Sequence, residues 1–269
     1  MASFHSRSNS FPSQSHPVIN DVEDQLCRLK ASQEASASAT SICENLASLR
    51  DLHEGINNLI QKSSVQQAIS HEQGEDWIND LLEGSLRLVN LCGFSREVVC
   101  LTKESVQELE SSIRRKADDI NAYVASRKKI NKMVIKNLKS FNQTSAAVPE
   151  KDNDLKTIGS MLKETEALDL SILKSVLILL SGANGSSKQR SWSLLLSKFA
   201  QTSRVQCETK QVEDLCPLNI HMSKKGTDSI DLKQLKASEM NIQKIEEGLE
   251  ALFRSLVKTR VSLLNALSH

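Results

Sequence analysis

Large apolar residues recur along this chain at alternating intervals of three and four, the spacing that returns a side chain to one face of an α-helix. The clearest run is Leu235, Ser238, Ile242, Ile245, Leu249, Leu252, Leu256, Thr259, Leu263 and Ala266, a heptad seam that predicts a long C-terminal helix packed lengthwise on a partner helix of the same chain. From Glu75 a second seam runs through Ile78, Leu81, Ser85, Leu88, Cys92, Val99, Val106, Leu109, Ile113, Ile120 and Val124. It predicts one very long central helix, or two joined near Gly93, roughly 100 Å long if unbroken to Phe141. Gly84 and Ser85 in this seam would let a neighbouring helix approach closely. Ile42, Leu46, Leu49, His53, Ile56 and Ile60 mark a helix running to about Lys62, and Val22, Leu26 and Leu29 a shorter one capped by Asn20 or Asp21. His53, on its apolar stripe with no second ligand at metal spacing, reads as a satisfied core residue.

Breaks in the pattern set the boundaries. Met1 to Pro17 holds six serines and no periodicity, which predicts a disordered tail, residues 1–17, ahead of a single helical domain, residues 18–269. Ala31 to Ser41 interrupts the first helix as a weak helix or connector. Thr144 to Asn153, with Pro149, reads as the main internal linker, near residues 144–153. A helix over Asp154 to Ser181, a turn at Gly182 to Gly185, a helix over Gln189 to Ser203 and a loop near residues 207–227 follow. Only 9 glycines and 4 prolines in 269 residues, with 3% aromatics, argue against a turn-dense β-sandwich or barrel. The predicted fold is all-α: an elongated helical bundle with a very long central helix and a heptad-patterned C-terminal helix.

Charge and chemistry narrow the function more than they define it. With 34 basic and 33 acidic residues the net charge is +1, so an electrostatic partner must meet a local patch. Ile113 to Lys139 supplies one: nine cations against two acids, a local charge of +7. On a helical projection Lys128, Lys129, Lys132, Lys136 and Lys139 share a sector facing away from Ile120, Tyr123, Ile130, Val134, Leu138 and Phe141. Such a face is by default solvated. The binding roles open to it are, in order, an anionic membrane surface, an acidic protein and nucleic acid, the last disfavoured by the scarcity of aromatics for stacking. In the tail, Arg7, Ser8, Ser10 and Pro12 fit R-S-x-S-x-P, a phosphoserine ligand pattern for 14-3-3 proteins.

The residues offer no phosphate loop, zinc spacing or nucleophile elbow, so no catalytic residue, metal or cofactor is expected. Cys92 and Cys100 stand eight apart without a histidine base nearby, and the six cysteines lack a C-x-x-C pair, as suits reduced core thiols. Leu168 to Leu180 is the most apolar stretch, too short and too charged, through Asp169 and Lys174, to span a bilayer. The start has no secretory h-region, and its Ser-rich composition resembles a transit peptide only weakly, so a cytoplasmic location is expected. Oligomeric state is left open.

Four segments carry a resemblance: Phe4 to Pro12, Leu81 through Leu88 to Cys92, Val106 to Arg115, and Gly248 to Asn265. In combination the chain resembles the plant BYPASS-like proteins, a domain family of unknown biochemical function. The resemblance implies a plant protein of a family whose namesake is linked to root and shoot development through control of a mobile signal. It implies no catalytic residue. The function expected is that of a non-enzymatic helical adaptor acting through protein contacts, with peripheral membrane binding through the basic face as the alternative.

Overall fold

The computed structural model describes residues 17–33, 38–72, 75–115, 120–140, 153–182 and 232–268. They form seven α-helices and no strand: α1 (Pro17–Gln33), α2 (Ala39–Ile60), α3 (Ser63–His71), α4 (Asp76–Arg114), α5 (Ile120–Ser140), α6 (Asn153–Ser181) and α7 (Leu232–Leu267). The chain is therefore all-α, as its periodicity predicts.

The heptad seam makes α7 the spine. All ten of its predicted positions, Leu235 to Ala266, are buried, chiefly against α4 and α2. Polar contacts fix the direction of packing. Going up α4, Ser85, Lys103 and Gln107 meet Arg260, Glu246 and Glu239 of α7 in descending order, so the two helices run antiparallel. Arg96 pairs with Glu250 and lies 4.6 Å over the Phe253 ring, adding a cation–π contact to the same seam. On the other side, Gly248 lets α2 come close: a Cβ there would stand 3.1 Å from Leu46 Cδ1. Leu46, Leu49, Ile56, Ile245, Leu249 and Leu252, all at most 1% exposed, fill this layer.

The long central helix is α4, 39 residues without interruption at Gly93, about 60 Å at 1.5 Å per residue. It does not continue to Phe141. It ends at Arg114, where Arg115 leaves helical geometry (φ −83°, ψ 1°), and α5 begins afresh at Ile120. The reason is written in the charges, because Arg114, Arg115 and Lys116 precede Asp118 and Asp119. Cations suit the negative end of a helix dipole and anions the positive start of the next. Folding back lets Tyr123, Ile130 and Val134 of α5 bury themselves against α4 and α6.

Other boundaries shift for local reasons. Helix α1 starts at Pro17, ahead of the predicted Asn20 or Asp21, because proline is at home in a first turn whose N–H groups lack partners anyway. This brings Val18 and Ile19 into partial contact with the core. In the Ala/Ser-rich stretch α1 ends at Gln33 and Ser38 caps α2, its hydroxyl accepting from the Ser41 amide at 3.1 Å. The short α3, with Val65 and Ile69 buried, is an element the spacing does not announce. Helix α6 closes at Gly182, whose φ of 68° is the left-handed end a glycine adopts freely. The predicted Gln189–Ser203 helix, the 207–227 loop, most of the 144–153 linker and the tail before Pro17 lie outside the described residues.

Candidate functional site

Helix α5 carries no Asp or Glu between Ile120 and Ser140 and six cations. Burial divides them. Arg127 and Lys128 are half-buried, whereas Lys129, Lys132, Lys136 and Lys139 are exposed on the side away from Tyr123, Ile130 and Val134. Four of the five predicted lysines therefore share one exposed outer face, with half-buried Lys128 at its edge. Lys132, Lys136 and Lys139 surround half-buried Ile135 and line a shallow open depression with it. The only aromatic side chain of α5, Tyr123, is 8% exposed, and burial raises its hydroxyl above the ordinary range.

A second polar centre lies inside the bundle. His53 of α2 places Nε2 at 2.9 Å from Asp169 Oδ2 of α6 and Nδ1 at 3.1 Å from Thr259 Oγ1 of α7. Asn57, one turn after His53, donates from Nδ2 to the same hydroxyl at 3.2 Å. His53, Asn57 and Asp169 are 3%, 1% and 0% exposed. A carboxylate only accepts, so with Asp169 ionised the imidazole donates through Nε2. This ties three helices together by one directional network. A cavity of about 30 Å³ beside it is lined by Ser85, Thr165, Glu166, Asp169 and surrounding leucines.

At the edge of that cavity the α4–α6 contact includes ion pairs. Arg87 reaches Glu166 at 3.0 Å, and Lys163 stands 3.4 Å from Asp80. Gly84 makes room for this, because a Cβ there would stand 2.5 Å from Glu166 Oε1, so the predicted close approach is to a carboxylate. Burial lifts the Glu166 carboxyl above its usual range, opposed by Arg87.

Cys92 and Cys100 are not prepared for chemistry. Cys92 donates to the Leu249 carbonyl at 3.6 Å, and burial first, then the Asp169 charge, push its thiol up to about 12. Cys100 is exposed, but partial burial and Glu246 raise its thiol as well. A thiol held protonated is a poor nucleophile. No group of three His, Cys, Asp or Glu among the described residues is placed to hold a metal ion.

The model of one protein family, Protein BPS1, matches residues 45–266. The chain belongs to the BPS1 family. Membership fits a plant developmental role of unknown biochemical function. No curated protein and no solved structure matches the chain. Within the BPS1 region, two segments that carry the resemblance prove to be partners: Leu81–Cys92 of α4 faces Gly248–Asn265 of α7 through Ser85 with Arg260, at 2.8 Å, and Cys92 with Leu249. The tail with Arg7, Ser8, Ser10 and Pro12 lies outside both the matched and the described residues.

Sequence spacing places His53 in the BPS1 core correctly but misses its partners. Asp169 is visible as a charge in an apolar stretch, a sign that a buried group awaits it, yet 116 positions separate it from the histidine. Thr259 gives a weaker signal, a polar residue on a heptad position.

Proposed function

We propose that this BPS1 chain is a non-catalytic helical adaptor in root and shoot development, acting through contacts with other proteins. One observation carries the reading: the polar and thiol groups at the centre of the bundle, His53, Asp169 and Cys92, are buried and used for packing. His53 and Asp169 hold helices together, and the Cys92 thiol stays protonated. The outward features are charge and helix surface. No helix among the described residues is long and apolar enough to cross a membrane. Proximity labelling in plant tissue with the full chain tests the reading, since it captures neighbours without presuming a reaction. A reproducible set of enriched proteins supports an adaptor. A chain that enriches nothing over a diffusible control contradicts it.

One contact belongs to the tail. Phosphorylated Ser10 gives a dianion that an arginine cluster can pair with, Arg7 suits a basophilic kinase, and Pro12 directs the chain out of a groove. A Met1–Asn20 peptide phosphorylated at Ser10 should bind a 14-3-3 protein with Kd of about 1 μM or tighter, near −8 kcal/mol. The unmodified peptide and the Pro12→Ala phosphopeptide should bind more weakly. Equal binding of phosphorylated and unmodified peptides would remove this partner.

A further inference from the structure

We infer that the outer face of α5 is a docking surface for an anionic lipid membrane, an activity beyond the adaptor reading and independent of it. The first reason is charge. Lys129, Lys132, Lys136 and Lys139 are exposed, and Lys128 half-buried, along one face of a helix that contains no Asp or Glu, spanning about 17 Å at 1.5 Å per residue. None of the five makes an ion pair with the described residues. Five like charges in so short a span repel one another, and an anionic surface relieves that repulsion.

Shape and side-chain type select the membrane among anionic partners. The surface is a helix flank with only a shallow open depression, which suits a broad charged plane better than an inserted peptide. All four exposed cations of α5 are lysines. Lysine is a strongly hydrated point charge suited to diffuse headgroup phosphate, whereas arginine's planar fork is the choice for bidentate carboxylate pairing at protein interfaces. Ile135, among Lys132, Lys136 and Lys139, offers a small apolar contact within the headgroup layer. Nucleic acid would gain from aromatic stacking, and Tyr123 is buried on the opposite side.

Flotation of the full chain with vesicles tests this. The chain should float with vesicles of equal parts phosphatidylcholine and phosphatidylserine and not with phosphatidylcholine alone. Each single Lys→Gln change on the face should lower partitioning roughly five-fold, equivalent to about 1 kcal/mol per basic residue. Changing all five to Gln should abolish it, while changing all five to Arg preserves it. Raising salt from about 0.1 M, where the Debye length is about 10 Å, to about 1 M, where it is about 3 Å, should release the protein. Because four of the substituted side chains are exposed and Lys128 is only half-buried, each variant should keep the native Tm, which separates lost docking from lost folding. Flotation unchanged in the five-Gln variant, binding to neutral vesicles equal to that on anionic ones, or binding of acidic peptide or nucleic acid without any vesicle binding overturns the inference. None of these results depends on protein partners, so the adaptor reading survives its failure.

Discussion

At the scale of single residues, His53 and Asp169 lie among α2, α6 and α7 with almost no access to water, so losing one leaves the other buried and uncompensated. His53→Leu and Asp169→Leu should each destabilise the protein by about 3–5 kcal/mol, and the double variant by clearly less than the sum of the two. Urea unfolding of the four proteins checks this. Strict additivity would mean that the contact at 2.9 Å carries no coupling. The same pair shows what a sequence makes legible. Burial of His53 follows from its place on the stripe from Ile42 to Ile60, a local property of period 3.6. Its hydrogen bonds do not, because they depend on how α6 and α7 are seated, and no spacing along α2 encodes that. For the same reason Cys92 is legible as a core thiol, whereas the contribution of Asp169 to keeping it protonated is not.

Among elements, α7 was readable position by position because one uninterrupted seam serves one buried face. The division between α4 and α5 was harder. Both helices carry the same apolar period, and the seam passes through their junction almost in register, so periodicity joins what the chain separates. The informative signal was the change from Arg114, Arg115 and Lys116 to Asp118 and Asp119. Helix α3 is not legible in the spacing, because nine residues with two buried side chains, Val65 and Ile69, hardly make a pattern. Two glycines test the packing. Gly248 faces Leu46, whereas a methyl at Gly93 would meet only Phe253, at an ordinary 3.8 Å. Gly248→Val should lower stability by about 1–3 kcal/mol through overpacking between α2 and α7. Gly93→Ala should raise it by up to about 1 kcal/mol through helix propensity. Thermal unfolding decides both, and a Gly248→Val protein as stable as the parent would show that the α2–α7 approach is looser than described.

For the whole molecule, the interior and the surface have separate tasks. The apolar seams and the His53–Asp169 network hold the bundle together. In the proposed reading, binding falls to the lysine face of α5 and to the tail, of which the first is legible in the sequence as a charge pattern. The tail motif was equally legible, but it lies beyond the described residues, and its role rests on the chemistry of phosphoserine. The central claim is that the developmental role of this chain is carried out by docking surfaces. The most direct measurement is rescue of a plant lacking the protein by a variant with both surfaces altered, Ser10→Ala together with Lys→Gln at positions 128, 129, 132, 136 and 139, alongside the native chain. The account predicts that this variant accumulates to the native level, unfolds at the native Tm and fails to restore root and shoot growth. Full rescue by the altered chain would contradict it.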